Sequence, residues 1–197
     1  MAKSLEVEEQ AYVPRSKVPF RCCGRLGNCF CAFITSGGEP WVCIGPDWPF
    51  SICLLSILVG MSLCYLLLMA PMVQPAVQLL GALIITSTLA CYLTTVLKNP
   101  GIELVRGLEL DSFTPASPSQ TLHKPCPHCG ARRKEGTHHC EDCNLCIRQY
   151  DHHCPLTGKC IGEGNILFFC GFLVSLLLFI LYLVLWTVCT ARISRED

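Results

Sequence analysis

Between Trp48 and Leu97 the chain carries no charged residue, and a second uncharged run extends from Gly164 to Ala191. A helix needs roughly 20 mostly apolar residues to cross the hydrocarbon core of a bilayer. The first run is too long for one span and breaks at "APMVQPAV", where Pro71 and Pro75 stand four apart. The pattern therefore predicts two helices, over about 50–70 and 76–97, joined by a tight turn, and a third over about 166–190. Buried core helices are the bland alternative, but a chain of 197 residues has too little else to cover three such segments. The polar remainder divides into an arm (1–47) ahead of the helical hairpin (48–97), a linker (98–123), a compact unit (124–165) running directly into the third helix (166–191), and a short tail (192–197). Asn99-Pro100-Gly101 should stop the second helix sharply, and "DSFTPASPSQTLHKP" reads as irregular chain. The fold class expected is an all-α multi-pass membrane protein carrying a Cys-rich unit of short hairpins.

Composition strengthens the membrane reading: 51% of residues are hydrophobic and 15% charged, against about 25% charged in soluble domains. Charge then orients the chain. Of fifteen Lys and Arg residues, thirteen precede the first helix or lie between the second and third, none lies in the turn at 71–75, and two are in the tail. The excess of positive charge marks the cytosolic side, so the arm and residues 98–165 are expected in the cytosol. Residues 1–47 contain no apolar core of a signal peptide, and Met1-Ala2 excludes N-terminal myristoylation. No nucleic-acid partner is expected.

Seven of the seventeen cysteines and all six histidines fall between residues 123 and 160. On the cytosolic side thiols stay reduced, so this density points to metal rather than disulfides. The unit contains Cys126-x-x-Cys129, then Cys140-x-x-Cys143-x-x-Cys146, then Asp151-His152-His153-Cys154, then Cys160. Two-residue spacing lets both thiolates of a knuckle reach one tetrahedral zinc ion. A redox dithiol at "CPHC" is the competing reading, but such motifs open a helix in a βαβ setting that is missing here. So small a unit needs metal to fold, at about 10–16 kcal/mol per structural zinc. Setting Cys154 aside, six cysteines and two histidines supply eight ligands, enough for two ions; spacing alone leaves the partition open, and a ribbon pairing Cys126, Cys129, Cys140 and Cys143 also fits.

These residues resemble the Cys-rich domain of the DHHC protein S-acyltransferases, or palmitoyltransferases, whose spacing is matched at every position from Cys126 to Cys160. The likeness extends to Asn99-Pro100-Gly101, Gly162, Asn165 and Phe169, and covers about residues 50–190. It implies two interleaved Cys3His zinc sites: Cys126, Cys129, His139 and Cys146 in one, and Cys140, Cys143, His153 and Cys160 in the other. It implies Cys154 as nucleophile, His152 as its base and Asp151 as the group that orients His152. The implied reaction takes an acyl group from a long-chain acyl-CoA onto Cys154 and then onto cytosolic cysteines of membrane-associated proteins. Arg132, Arg133, Lys134 and Arg148 are candidates for the CoA phosphates, and the lipid bilayer is a partner of the acyl chain. Golgi, endoplasmic reticulum or plasma membrane is the implied location.

The chain departs from the family at Leu156, where Trp is usual, and at Gly158 and Lys159, where Asn is usual. The family also has at least four membrane helices with a Thr-Thr-x-Glu motif beyond them, whereas this sequence ends after the third. The alternative is a catalytically weak zinc-stabilised membrane adaptor, or a truncated fragment of such an enzyme. Cys22, Cys23, Cys29 and Cys31 of the arm are open to acylation, to metal or to a role as free thiols, while Cys53, Cys64, Cys91, Cys170 and Cys189 read as small packing residues within helices.

Overall fold

A computed structural model of the chain describes residues 23–34, 39–72, 74–104, 125–131 and 133–196. Three helices dominate it. Helix α1 (Trp48–Cys64) opens with a proline in its first turn, where the missing N–H costs nothing. It continues through a π-helical turn (Tyr65–Met69) and a 3-10 turn (Ala70–Met72), and Pro75 starts α2 (Pro75–Leu97). Helix α3 is Ile166–Glu196. The stretches Trp48–Met69, Pro75–Leu97 and Ile166–Cys189 are long and apolar enough to cross a membrane.

The helices pack through small and aromatic residues. At one end the Tyr65 and Tyr182 hydroxyls lie 2.7 Å apart, and Tyr182 donates to the Val77 carbonyl. A Cβ at Gly81 would strike the Tyr65 hydroxyl, so the close approach of α2 requires glycine there. At the other end Leu58, Tyr92 and Phe172 form a buried cluster, with the Tyr92 and Phe172 rings 5.0 Å apart. Leu67, Leu83, Leu167 and Leu185 are exposed on the outer faces. Cys53, Cys64, Cys170 and Cys189 are exposed as well, which corrects their reading as packing residues. Only Cys91 of that group is half-buried.

Three strands precede α1: β1 (Cys23–Leu26), β2 (Cys29–Ile34) and β3 (Pro40–Ile44). They form an antiparallel sheet in which Cys31 faces Cys43. The expected helices are therefore joined by a sheet within the arm, and the all-α description is too narrow. Alternation along β2 sends Cys29 and Cys31 to one face, where they meet Cys43, Cys140, Cys143, Cys160 and Ile147 in a common core. Cys29 and Cys31 are thus not loose thiols; Cys23 is exposed, and Cys22 lies outside the described residues. Between β1 and β2 the backbone N–H of Asn28 donates to the Cys143 carbonyl (2.9 Å), and its side chain donates to Asp142 (2.7 Å).

Two further hairpins follow: β4 (His138–Cys140) with β5 (Leu145–Ile147), and β6 (His152–Cys154) with β7 (Lys159–Ile161). Polar side chains at the helix ends fasten them to the bundle. Asn99 accepts from the Gly101 and Ile102 N–H groups and donates to the Pro40 carbonyl, while its own N–H donates to Trp41. Asn165 is fully buried, donates to the Cys160 and Thr95 carbonyls, and accepts from the Gly162 N–H. The hairpins are thereby held against the same ends of α2 and α3 from which Lys98 and Ile166 lead.

Candidate functional site

The two hairpins interleave their metal-binding side chains. The ligand atoms of Cys126, Cys129, His139 and Cys146 converge, and so do those of Cys140, Cys143, His153 and Cys160; within each set all lie within 4.8 Å of one another. Tetrahedral zinc, with bonds of about 2.3 Å to sulfur and 2.0–2.1 Å to nitrogen, places sulfurs about 3.8 Å apart and sulfur about 3.6 Å from nitrogen. In the first set Cys129 and Cys146 sulfurs are 3.5 Å apart and Cys146 lies 3.9 Å from His139 Nδ1. In the second, His153 Nδ1 lies 3.4 Å from Cys140, 3.4 Å from Cys143 and 3.6 Å from Cys160. Both donor sets fit a structural zinc ion. Among the alternatives left open by spacing, the geometry brings together the interleaved sets and not the ribbon pairing.

Thiol proximity perturbs these groups as a metal site would exploit. Hydrogen bonds from Cys140, Cys160 and Cys29 pull Cys143 strongly down, towards thiolate. Cys160 is pushed up by the same contacts seen from the other side, with Cys140 first. At Cys126 burial works upward, but the backbone N–H groups of Cys129 and His128 bring the net shift down. His139 is lowered by burial and by neighbouring His128, whose ring stacks on it at 4.9 Å, so it stays the neutral ligand form.

Asp47, which sequence spacing did not single out, completes the second set. Its carboxylate lies 3.0 Å from His153 Nε2, the nitrogen that faces away from the cysteines. Burial works downward on His153, but the Asp47 hydrogen bond, the contacts with Cys143 and the charge of Asp142 together outweigh it, so the net shift is upward. An outer carboxylate on the far nitrogen fixes which ring nitrogen meets the metal. The only signal in the sequence was an acidic residue directly ahead of an apolar run.

Cys154 belongs to neither set. It ends β6, is buried, and faces Lys159 across the hairpin. The turn between them runs through a 3-10 segment (Pro155–Thr157) to Gly158 at φ +76°. The segment from Gly45 to Ser51 grips this turn. Asp47 N–H donates to the Gly158 carbonyl (3.2 Å), and a side chain on Gly158 would strike Ser51 Oγ. Tyr92 of α2 donates to the carbonyls of both Leu156 (2.9 Å) and Ser51 (2.8 Å). The loop bearing Cys154 is thus attached to the ends of α1 and α2. Leu156 itself projects outward, 57% exposed.

Asp151 and His152 precede Cys154 along the chain. His152 Nδ1 is 3.1 Å from Asp151 Oδ2, and its ring meets the edge of Phe169 at 5.4 Å. Of the phosphate candidates, Arg133 and Lys134 are exposed and Arg132 lies outside the described residues. Arg148 is committed elsewhere: it donates to Glu163 at 2.8 Å and lies 3.5 Å from Glu103 and 3.9 Å from Glu39.

Comparison with known proteins agrees with this arrangement. The DHHC palmitoyltransferase family profile matches residues 119–197. Palmitoyltransferase ZDHHC7 of Mus musculus is 35% identical over 108 residues, 51% of this chain and 30% of that protein. Palmitoyltransferase ZDHHC3 of Homo sapiens is 33% identical over 102 residues (48% and 32%) and palmitoyltransferase ZDHHC17 of Danio rerio 41% over 68 (34% and 11%). The matched region thus spans about a third or less of each relative's length. Over residues 119–197, the stretch that holds both Cys/His sets, the chain is similar to the DHHC palmitoyltransferase family.

Proposed function

We propose that the chain is a protein S-acyltransferase that moves a long-chain acyl group, palmitoyl being the type, from acyl-CoA through Cys154 onto cysteines of membrane-associated proteins. The observation that carries this reading is that the β6–β7 hairpin gives His153 and Cys160 to a metal set while its Cys154 enters neither set, in a chain with three membrane-length helices. Similarity to three palmitoyltransferases supports it.

In the first half-reaction the Cys154 sulfur bonds to the thioester carbonyl carbon, and the bond from that carbon to the CoA sulfur breaks. The Cys154 proton passes to His152 Nε2 and from there to the departing CoA thiolate. Asp151 holds the other ring nitrogen and stabilises the imidazolium formed in between. In the second half-reaction a substrate cysteine loses its proton to His152, attacks the Cys154 thioester, and returns the Cys154 thiol. Two zinc ions, held by the sets described above, supply folding free energy to a unit with little apolar core. Arg132, Arg133 and Lys134 are assigned to the CoA phosphates, and Arg148 to the fold. The apolar faces of α1, α2 and α3 accept the acyl chain, each methylene kept from water contributing about 0.8 kcal/mol. The excess of Lys and Arg on the side of the Cys-rich unit supports a cytosolic position for it, where acyl-CoA is met.

The test is autoacylation. Purified protein incubated with labelled palmitoyl-CoA should gain a label removable by hydroxylamine, and Cys154→Ser should gain none while keeping its zinc. Label persisting in Cys154→Ser refutes the assignment. An unlabelled wild-type chain with full zinc content favours the adaptor.

A further inference from the structure

Lys159 stands at a position where the family usually carries Asn, and its side chain takes an unusual place. It is fully buried, although an ammonium seldom is without partners. Its Nζ donates to the Cys43 carbonyl at 2.5 Å and to the Lys98 carbonyl at 2.6 Å. Those acceptors belong to different parts of the fold: Cys43 to β3, ahead of α1, and Lys98 to the end of α2. The Lys98 carbonyl is one of those left without a helical partner at a C-terminus, where a cation is favoured. Across the β6–β7 hairpin the residue directly opposite Lys159 is Cys154.

We propose that Lys159 is a positioning residue for acyl transfer, a strut that fixes the Cys154 hairpin to β3 and to the end of α2. Three connections then converge on one turn: Lys159 from β7, Tyr92 from α2 onto Leu156, and the Asp47 N–H onto Gly158. The latter two act through the turn's own carbonyls. Lys159 alone of the three reaches outward with its side chain, and it ends at the backbone carbonyl of Cys43, a residue of the sulfur-lined core. Orientation of a nucleophile is where small displacements cost most in rate, since a shift of about 1 Å in a reacting group can cost about 100-fold. A loose strut therefore lowers turnover more than it lowers binding of acyl-CoA. The inference rests on the acyl-transfer reading for its consequence, but the strut itself is a structural claim with its own readout.

The experiment compares Lys159→Met, which keeps an unbranched side chain without donors, and Lys159→Gln, which keeps a neutral donor, with wild type and Cys154→Ser. Acylation is followed with labelled palmitoyl-CoA, zinc is counted, and amide hydrogen exchange is read on peptides covering 40–47 and 154–161. Lys159→Met should keep wild-type zinc content, lose at least about 10-fold in kcat with KM for palmitoyl-CoA within twofold, and exchange faster in both peptides together; Lys159→Gln should recover part of the rate. Wild-type kcat in Lys159→Met overturns the proposal. So does a loss confined to KM, or loss of zinc in both variants in step with activity, because the role is then general folding. If wild type takes no label, the acyl-transfer reading has failed, and the strut is judged by exchange: unchanged protection at 40–47 in Lys159→Met overturns it.

Discussion

Removing the Asp47 carboxylate tests how the second metal set is oriented. Asp47 Oδ2 is 3.0 Å from His153 Nε2; the imidazole is 8% exposed and the carboxylate 34% exposed. The other ring nitrogen faces three cysteine sulfurs at 3.4–3.6 Å, so the Nε2 proton has Asp47 as its acceptor. Loss of an outer partner of this kind costs 10- to 100-fold in metal affinity, or about 1.4–2.8 kcal/mol at 1.4 kcal/mol per decade. A carboxylate one-third open to solvent is partly replaced by water, which puts Asp47→Ala near the lower bound, about 10-fold. Asp47→Asn keeps an acceptor oxygen and should lose about threefold or less. The Asp47 N–H bond to Gly158 is backbone and survives in both variants. Competition against a chromophoric zinc chelator resolves the two ions, and only one should leave more readily. An affinity within twofold of wild type in Asp47→Ala, or equal weakening of both ions, would refute the assignment of Asp47 to His153.

Gly158→Ala should destabilise the fold by about 1–3 kcal/mol, because alanine resists φ +76° and its methyl would strike Ser51 Oγ; an unchanged melting temperature would count against the tight seat of this turn. Tyr92→Phe removes a hydroxyl serving two carbonyls and should cost about 1–2 kcal/mol; denaturant titration measures it, and a loss below about 0.3 kcal/mol would mean that water serves those carbonyls equally well. Acidification should release zinc, since the ligating forms are thiolate and neutral imidazole: the stability that metal contributes is present at neutral pH and is lost as pH falls through the ligands' protonation. Released metal followed with a zinc dye, alongside far-UV circular dichroism, should change together; structure that persists after full release would contradict the dependence of the hairpins on metal.

What the sequence discloses here is what proximity along the chain can disclose. A Cys-x-x-Cys pair carries its own geometry, so the knuckles are legible from spacing, while the division into two interleaved sets, which spacing leaves open, is implied by the family likeness and matches the ligand atoms that converge. Length and lack of charge announce α1, α2 and α3 for the same local reason. The sheet of the arm is different. "CFCAFI" reads as a short apolar run with no strong alternation, and its strand character is decided by what Cys29 and Cys31 meet, more than 100 residues later. Asp47 and Lys159 follow the same logic. His153 lies 106 residues from Asp47, and Lys159 lies 116 from its acceptor at Cys43 and 61 from that at Lys98. From sequence, Lys159 reads only as a departure from the usual Asn; folded, its one side chain reaches carbonyls of two separate elements. The five residues between Cys154 and Cys160 therefore need not all match the family for the hairpin to be held. Lys159 reaches partners in β3 and at the end of α2, and the first of these lies in the arm ahead of the first helix, where the likeness to the family gives no guidance.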